Sequence, residues 1–324
     1  MAYRALVVDA QGGATILEDL DEPFATPHGG TVALDVAFSS VNYKDAVALT
    51  GGPGILRSAP MVAGIDAVGV VADGQPGAGT VMAAFGAGLG ERSDGGLATY
   101  VLAPAEALLP VADARRAAAI GTAGFTAALA VLRLERDGLR PGDGDVLVTG
   151  AGGGVGSFAV ALLSARGHRV VAATGRVEAR GAELRELGAA DVIDRSELAD
   201  AGKPVQSGRW AAAVDSVGGR PLANVVAQTR YGGTVAACGL AADPSLPSTV
   251  LPFILRAVTL AGINSVDAPA GLRQDAWALL EESVADATVA RIAPRTVPLG
   301  EAVGVAREVL AGTVAGRVVV DVPA

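Results

Sequence analysis

A run of closely spaced glycines lies in the middle of the chain, between an apolar segment and a segment of helical composition. Gly150, Gly153 and Gly156 recur every third residue, and Gly154 and Val155 lie between the last two. Glycines at this spacing let main-chain N–H groups approach a pyrophosphate, and a helix N-terminus adds partial positive charge. An ordinary tight turn is the alternative, but the flanking strand and helix, and a second strand at the expected distance, favour a ligand. These residues are therefore predicted to bind a dinucleotide.

The end of the second strand predicts which nicotinamide dinucleotide binds. NAD sites usually carry Asp or Glu there for the ribose hydroxyls, whereas this chain has Thr174, Gly175 and Arg176. A guanidinium suits a 2′-phosphate because its planar fork donates two charge-assisted hydrogen bonds. Arg195, just after the third strand, is a second candidate for the same phosphate. We therefore expect NADPH rather than NADH, with solvated loop arginines as the alternative.

Two polar side chains in the first part of the chain are the candidate catalytic groups. Asn42 and Tyr43 carry an amide and a phenol, which can donate hydrogen bonds to a substrate carbonyl or to the nicotinamide amide. Asn42 could equally cap a helix over Tyr43–Leu49 that ends at Gly51, and both roles can hold together.

Three further charged residues are considered, and two of them, Asp66 and Arg92, have more than one interpretation. Asp45 is expected to be structural. Asp66 lies in an apolar strand, where a carboxylate needs partners, so it is expected to orient Lys44 or a backbone turn. The alternative is that Asp66 holds a catalytic residue in place. Arg92 lies in a glycine-rich loop, where it is either solvated or meets an anionic part of a substrate, such as a CoA phosphate.

The segments that must position these residues change character near Ala117. Before it, short strands separated by Gly and Pro are typical of a partly open all-β barrel. After it, apolar strands alternate with helices, which indicates a parallel sheet with crossover helices. Strands are predicted over Tyr3–Val8, Thr31–Phe38, Met61–Ala72, Leu97–Leu102, Asp145–Thr149, Arg169–Ala173, Asp191–Ile193, Ala211–Asp215, Thr234–Cys238 and Arg317–Val322, and helices over Ser157–Ala165, Glu178–Leu187, Arg273–Ala285 and Gly300–Leu310.

Composition excludes several classes of protein. The 324 residues carry a net charge of −9, so the basic footprint of a nucleic-acid binder is missing. Cys238 is the single cysteine, which excludes an internal disulfide and fits a reducing, cytoplasmic compartment. No export signal is evident, and the apolar stretch 117–132 is expected to be too short to span a bilayer.

Seven short motifs occur in the order in which one family carries them. The chain resembles the zinc-free medium-chain dehydrogenases/reductases, and within them the YhdH/YhfP-type quinone oxidoreductases, which include acrylyl-CoA reductases. The resemblance covers essentially the whole chain. Its motifs here are Ser39–Asp45, Gly64–Asp66, Ile120–Ala127, Val148–Ala151, Thr174–Arg176, Cys238–Leu240 and Pro252–Arg256.

The resemblance implies an α/β fold in which a GroES-like β-barrel catalytic domain is interrupted by a Rossmann domain with a doubly wound parallel sheet. The catalytic domain would comprise residues 1–117 and 267–324, and the Rossmann domain residues 118–266. The resemblance also implies NADPH as the cofactor and a homodimer formed through the edges of the Rossmann sheets.

The same resemblance places further residues around the nicotinamide and its ribose. Thr126 would open a helix that faces the cofactor, although back-bonding to helix carbonyls is the alternative. For Leu240 and Ile254 the alternative is core packing, and both are expected to be buried. The residues implied are Tyr43, Thr126, Leu240, Ile254 and Ser265.

Positions that hold a catalytic zinc in related enzymes carry Asn42, Ile65 and Thr122 here. Isoleucine cannot ligate a metal, and amides and hydroxyls are poor zinc ligands. The two histidines, His28 and His168, are expected at the surface. We therefore predict no metal site. Without a Lewis acid, alcohol oxidation lacks a group that stabilises the alkoxide.

Reduction of an activated C=C bond needs only hydrogen-bond donors for the developing enolate oxygen. The primary hypothesis is an NADPH-dependent reductase of a short enoyl thioester such as acrylyl-CoA. A quinone reductase is the second hypothesis, since a quinone is also a conjugated enone. The third is an NADPH-binding protein without physiological catalysis.

Overall fold

The computed structural model describes residues 2–324 and divides into two compact units. The first unit comprises the chain up to Phe125 together with Ser265–Trp277 and Val289–Ala324. The second comprises Thr126–Asn264 and Ala278–Thr288. The chain therefore leaves the first unit after Phe125, returns to it at Ser265, and returns a second time at Val289.

The described residues form strands mainly in the first part of the chain, and strands interleaved with helices from Ala114 onward. The strands are β1 (Tyr3–Val8), β2 (Ala14–Leu20), β3 (Thr31–Ser40), β4 (Met61–Val62), β5 (Asp66–Val71), β6 (Val81–Phe85), β7 (Tyr100–Pro104), β8 (Leu109–Pro110), β9 (Asp145–Val148), β10 (Arg169–Thr174), β11 (Ala189–Asp194), β12 (Trp210–Asp215), β13 (Thr229–Ala237), β14 (Thr259–Gly262), β15 (Arg295–Pro298) and β16 (Val318–Asp321). The helices are α1 (Tyr43–Leu49), α2 (Ala114–Arg136), α3 (Gly154–Ala165), α4 (Val177–Glu186), α5 (Gly219–Gln228), α6 (Leu251–Arg256), α7 (Ala270–Ser283), α8 (Asp286–Ile292) and α9 (Ala302–Leu310).

The first unit is built on two sheets. One has the strand order β2-β1-β4, and the other has the order β15-β16-β3-β5-β6-β8, with β7 also paired to β3. Most pairs are antiparallel, as in β3 with β5, where Leu34 lies opposite Val71. The alternating apolar residues of these strands form one buried core with the apolar side of α9, including Leu34 and Val305, both with no exposed surface.

One predicted strand of the first unit is interrupted. The prediction of a continuous strand over Met61–Ala72 is wrong, because the structure separates β4 from β5 at Gly64. Gly64 has a φ of +109°, and a Cβ there would lie 2.5 Å from the main-chain N of Leu97. This close approach requires glycine and bends the chain immediately before Asp66.

The second unit contains a six-stranded sheet in the order β11-β10-β9-β12-β13-β14, and all its pairs are parallel. This is the strand order of the Rossmann fold, whose ligands bind at the carboxyl ends of the strands, where the order reverses. The reversal falls between β9 and β12. The central strands are apolar throughout because both faces of the sheet are covered. The predicted fold class is confirmed.

Helix α2 is the longest helix in the part of the chain that the structure describes. Its length and composition would allow it to cross a membrane, contrary to the prediction that the apolar stretch is too short, but 83% of its most apolar window is buried inside the protein. That burial is typical of a core helix. Gly121, with φ 49° and ψ −163°, interrupts it.

Candidate active site

The glycine turn after β9 has a conformation that side chains would prevent. Gly150 has a φ of +60°, and a Cβ there would lie 2.5 Å from the hydroxyl oxygen of Ser216. A Cβ on Gly156 would lie 2.3 Å from the carbonyl oxygen of Gly150. Gly153 caps α3, whose first residues are Gly154 and Val155. The turn is therefore a close, side-chain-free approach to a helix N-terminus, as a dinucleotide pyrophosphate requires.

Two arginines and a hydroxyl lie beside this turn at the end of β10. From the position of a Cβ on Gly152, the Thr174 hydroxyl oxygen is 3.5 Å away and an Arg176 guanidinium nitrogen 3.6 Å away. The guanidinium of Arg195 packs against Gly175, with Nε 2.6 Å from a Cβ built there. The structure thus brings together the three residues predicted for the 2′-phosphate, Thr174, Arg176 and Arg195. A phosphate dianion fits this donor set, because both cations and the hydroxyl can donate to it.

A second glycine turn follows β12 and is held by a buried carboxylate. Asp215 accepts hydrogen bonds from the Thr149 hydroxyl at 2.6 Å and from the main-chain N of Gly218 at 2.8 Å. Burial raises the pKa of Asp215, and these donors oppose the rise. Burial also raises the pKa of the nearby Cys238 thiol to about 12, so that the thiol is no candidate nucleophile at neutral pH.

In the first unit, Asn42 caps α1, as one of the two sequence interpretations expects. Its main-chain N donates to the Asp45 carboxylate at 2.8 Å, completing a capping box. Asp45 also accepts from the main-chain N of Ile65 at 2.9 Å. Asp45 therefore ties the start of α1 to the segment that precedes β5, the structural role expected for it.

A buried polar cluster surrounds the Asn42 side chain. We call it the Asp66–Arg317 cluster; its members are Ser40, Asn42, Asp45, Asp66, Thr122 and Arg317. At its centre Asp66 and Arg317 form an ion pair of 3.2 Å, with side chains 0% and 3% exposed. Asp66 also accepts from Thr122, whose main-chain N and hydroxyl lie at 2.9 and 2.6 Å, and from the Ser40 hydroxyl.

The amide of Asn42 is fully engaged inside this cluster. Its nitrogen donates to Asp66 at 2.8 Å and to Asp45 at 3.1 Å, and its oxygen accepts from Arg317 at 2.8 Å. Both amide hydrogens thus have carboxylate partners. The structure therefore gives Asn42 an anchoring position rather than an open donor.

Tyr43, the first residue of α1, differs from Asn42 in its exposure. It is 47% exposed, and its hydroxyl has no hydrogen-bond partner within residues 2–324.

Lys44, the residue after Tyr43, pairs with Glu91 at 2.8 Å. The suggestion that Asp66 orients Lys44 is therefore wrong, since Asp66 orients Asn42 instead.

The remaining predicted residues lie in different environments. Thr126 is buried and Ser265 half-buried, and the Ser265 carbonyl accepts from the buried Arg273 at 3.1 Å. Leu240 and Ile254 are 57% and 69% exposed, so the expectation that they lie in the core is wrong.

Arg92 and the two histidines differ in how far their side chains are exposed. Arg92 forms an ion pair with Asp267 at 2.7 Å, and both side chains are more than half exposed. The expectation of a surface position holds for His28 and is wrong for His168, which lies beneath Glu135 with its side chain 1% exposed.

The three positions that match zinc ligands have no metal-binding character. Asn42 and Thr122 bind Asp66, and the Ile65 side chain is buried. Across the described chain, no group of three or more His, Cys, Asp or Glu side chains could hold a metal ion. Arg317 is the member of the cluster that sequence reasoning missed; its signal is a charge immediately before three consecutive valines of the terminal strand.

Comparison with known proteins shows similarity to dehydrogenases and reductases. The family described as zinc-binding dehydrogenase matches residues 154–282. The acrylyl-CoA reductase AcuI of Ruegeria pomeroyi is 45% identical over 99% of this chain and 100% of its own length. The Bacillus subtilis protein named quinone oxidoreductase YhfP is 43% identical over 89% of each chain.

Solved structures agree over nearly the full length. The yhdH oxidoreductase of Salmonella enterica in complex with NADP has a TM-score of 0.92 and 43% identity, covering 98% of this chain and 99% of its own. Bacillus subtilis yhfP with NAD bound has a TM-score of 0.91 and 38% identity, with 99% of each chain covered. The fold and the glycine turn thus define a nicotinamide-dependent oxidoreductase. The chain belongs to the medium-chain dehydrogenase/reductase family, in its zinc-free subfamily of AcuI, YhdH and YhfP proteins.

The buried Asp45 predicts a pH dependence of stability. Burial, and then the charge of Asp66, raise the pKa of Asp45 from 3.8 to about 7, although N–H donors from Asn42 and Ile65 oppose the rise. The folded protein then binds more protons than the unfolded chain between these values, so this contribution is complete below pH 3.8 and is lost as the pH rises toward 7. The loss is on the order of a few kcal/mol, at about 1.4 kcal/mol per pKa unit.

Thermal unfolding across this pH window tests the assignment. We expect the Tm of the wild type to fall more steeply from about pH 5 to about pH 7 than that of Asp45→Asn, which cannot titrate. Parallel slopes for the two proteins would contradict the role of Asp45.

Proposed function

We propose that this protein catalyses the NADPH-dependent, zinc-independent reduction of the C=C bond of an α,β-unsaturated carbonyl, most favourably a short enoyl thioester such as acrylyl-CoA. The observation that carries the proposal is the cation and hydroxyl pocket of Thr174, Arg176 and Arg195 beside the glycine turn. Full-length identity of 45% to an acrylyl-CoA reductase supports the substrate class.

Two groups of residues would hold NADPH: glycines that let the main chain approach the cofactor, and side chains that donate hydrogen bonds to it. The glycine turn with the N-terminus of α3 would bind the pyrophosphate, and Thr174, Arg176 and Arg195 the 2′-phosphate. When bound, NADPH supplies the hydride for the β-carbon. The protein has to align the acceptor carbon and stabilise the negative charge that develops on the carbonyl oxygen. A proton then adds at the α-carbon and completes the reduction.

Tyr43 is the residue we assign to that charge. Its phenol is exposed and unpartnered in the described chain, so it can donate a hydrogen bond to an enolate oxygen. Asn42 holds the start of α1, and with it Tyr43, through its bonds to Asp66 and Arg317. Thr126, Leu240, Ile254 and Ser265 are proposed to surround the nicotinamide and its ribose.

A quinone is the second candidate substrate, because a quinone is also a conjugated enone and a relative of 43% identity bears the name quinone oxidoreductase.

We also propose that the protein works in a reducing, cytoplasmic compartment. The single cysteine supports this location, and the net charge of −9 makes the protein acidic.

Substrate choice is tested by NADPH consumption with purified protein. We expect kcat/KM for acrylyl-CoA well above the values for 1,4-benzoquinone and 9,10-phenanthrenequinone, because the full-length similarity to an acrylyl-CoA reductase favours the thioester. Efficient quinone turnover with a silent thioester would make the quinone reductase primary. Tight NADPH binding without turnover of any enone would instead support a non-catalytic NADPH-binding protein.

The variant Tyr43→Phe links turnover to the site. Removing one donor to a developing oxyanion typically lowers kcat by about 10²-fold or more. The control is Tyr231→Phe, a phenol that is 80% exposed and lies near the start of β13, away from the carboxyl ends of the parallel strands. Equal activity of Tyr43→Phe and Tyr231→Phe would contradict the assignment of Tyr43.

Cofactor choice is tested by Arg176→Ala. Loss of charge-assisted hydrogen bonds to a 2′-phosphate should cost about 1.5–3 kcal/mol, or roughly ten- to hundredfold in the KM for NADPH. The KM for NADH should change little, because NADH lacks that phosphate. An equal loss with both cofactors would contradict the phosphate assignment.

We also propose a homodimer formed through the second unit. Strand β14 is at the edge of the parallel sheet, and the neighbouring α6 exposes Leu251 and Leu255, at 37% and 61%. Such an edge beside an apolar surface favours pairing with a second copy. Light scattering should give twice the mass of the chain, and Leu255→Glu should give a monomer. A monomeric wild type would contradict this proposal.

A further inference from the structure

The guanidinium of Arg317 joins several segments of the first unit. Its Nε donates to the carbonyl of Ala119 at 2.7 Å, and its Nη1 donates to the amide oxygen of Asn42 at 2.8 Å. Its Nη2 donates to the Ser40 hydroxyl at 2.6 Å and faces Asp66 at 3.2 Å. One side chain at the start of β16 therefore contacts the end of β3, the cap of α1, the start of β5 and the first turns of α2.

The interruption of α2 is matched to this side chain. A Cβ on Gly121 would lie 2.1 Å from Arg317 Nη2 and 2.4 Å from an Asp66 oxygen, so only glycine leaves room for the ion pair. An interrupted helix leaves N–H and C=O groups without intrahelical partners. Here the N–H of Thr122 donates to Asp66, and the carbonyl of Ala119 accepts from Arg317. The main-chain groups freed at the break in α2 thus supply hydrogen bonds to both members of the ion pair.

The orientation of the Asn42 amide depends on the same pair. Arg317 holds its oxygen, while Asp66 and Asp45 hold its nitrogen. Because Asn42 caps α1 and Tyr43 is the first residue of the helix, a shift of this amide moves the backbone that carries the Tyr43 ring.

We propose that Arg317 is a positioning residue for the reduction: through Asn42 it fixes the start of α1, and thereby the place of the Tyr43 hydroxyl. This inference rests on the proposed function, in which Tyr43 donates to the substrate. A purely structural role for Arg317 would lower stability and leave the turnover of folded protein unchanged.

The first variant is Arg317→Lys, which keeps the charge and loses the fork. An ammonium is a compact donor that cannot bind Asn42 and Ala119 as the planar fork does. Misplacement of a group by about 1 Å can cost about 10²-fold in rate, so we expect kcat to fall by about that factor. The Kd for NADPH, measured by cofactor fluorescence, should stay within about twofold of wild type, because its predicted phosphate ligands belong to the second unit.

The matched control is Arg256→Lys in the second unit. Arg256 also donates to main-chain carbonyls, those of Ala227 and Thr229 at 3.0 and 3.2 Å. A comparable fall in Tm with unchanged kcat is expected for this control. If Arg317→Lys fails to fold, the double variant Asp66→Asn with Arg317→Gln removes both charges together and leaves neither buried ion unpaired; it should show the same loss of kcat.

Hydrogen exchange of the α1 amides gives a readout that does not depend on turnover. Faster exchange over Tyr43–Leu49 in Arg317→Lys, together with the fall in kcat, supports the proposal. A wild-type kcat in the folded variant, or unchanged exchange over α1, overturns it. If the wild type reduces neither thioester nor quinone, the proposed function fails, and the exchange result alone still decides whether Arg317 holds α1.

Discussion

Asp66 has no exposed surface, and a carboxylate in that position is stable only if cations and donors surround it. Burying an ion costs several kcal/mol even after relaxation, so the pairing with Arg317 has to be supported by further hydrogen bonds. Ser40, Asn42 and Thr122 supply them. The polar residues at the end of β3 and the glycine inside α2 are therefore consequences of one buried charge, and removal of any member leaves the others with unmet partners.

The second unit depends on a different constraint, the close approach of main chain to a ligand. Gly150 and Gly156 pack so tightly that a Cβ on either would lie within 2.5 Å of its neighbours. Arg176 and Arg195 lie beside Gly152 and Gly175, where we propose that the 2′-phosphate binds. The first unit instead uses its buried cation, Arg317, entirely within the protein.

Local sequence pattern predicted the second unit well. Apolar strands, a glycine turn and the residues that follow β10 are contiguous in the chain, so their relation could be deduced from spacing alone. Arg317 could not be assigned in this way, because it meets Asp66 across 251 residues. Leu240 and Ile254 show a similar limit: apolarity alone does not distinguish a core residue from an exposed one. His168 shows the reverse, since its burial follows from the packing of distant segments.

Arg317 differs from a catalytic zinc ion in what it can offer a substrate. Zinc acts as a Lewis acid because it keeps an open coordination position for a substrate oxygen. The guanidinium of Arg317 is buried, and its donors point at Asn42, Ser40 and main-chain carbonyls. It therefore offers no direct contact for an alkoxide, and this agrees with the proposal that a neutral donor, Tyr43, stabilises the charge on the substrate oxygen. A neutral donor suffices for an enolate, whose charge is delocalised, and this favours a conjugated C=C bond over an alcohol as the reacting group.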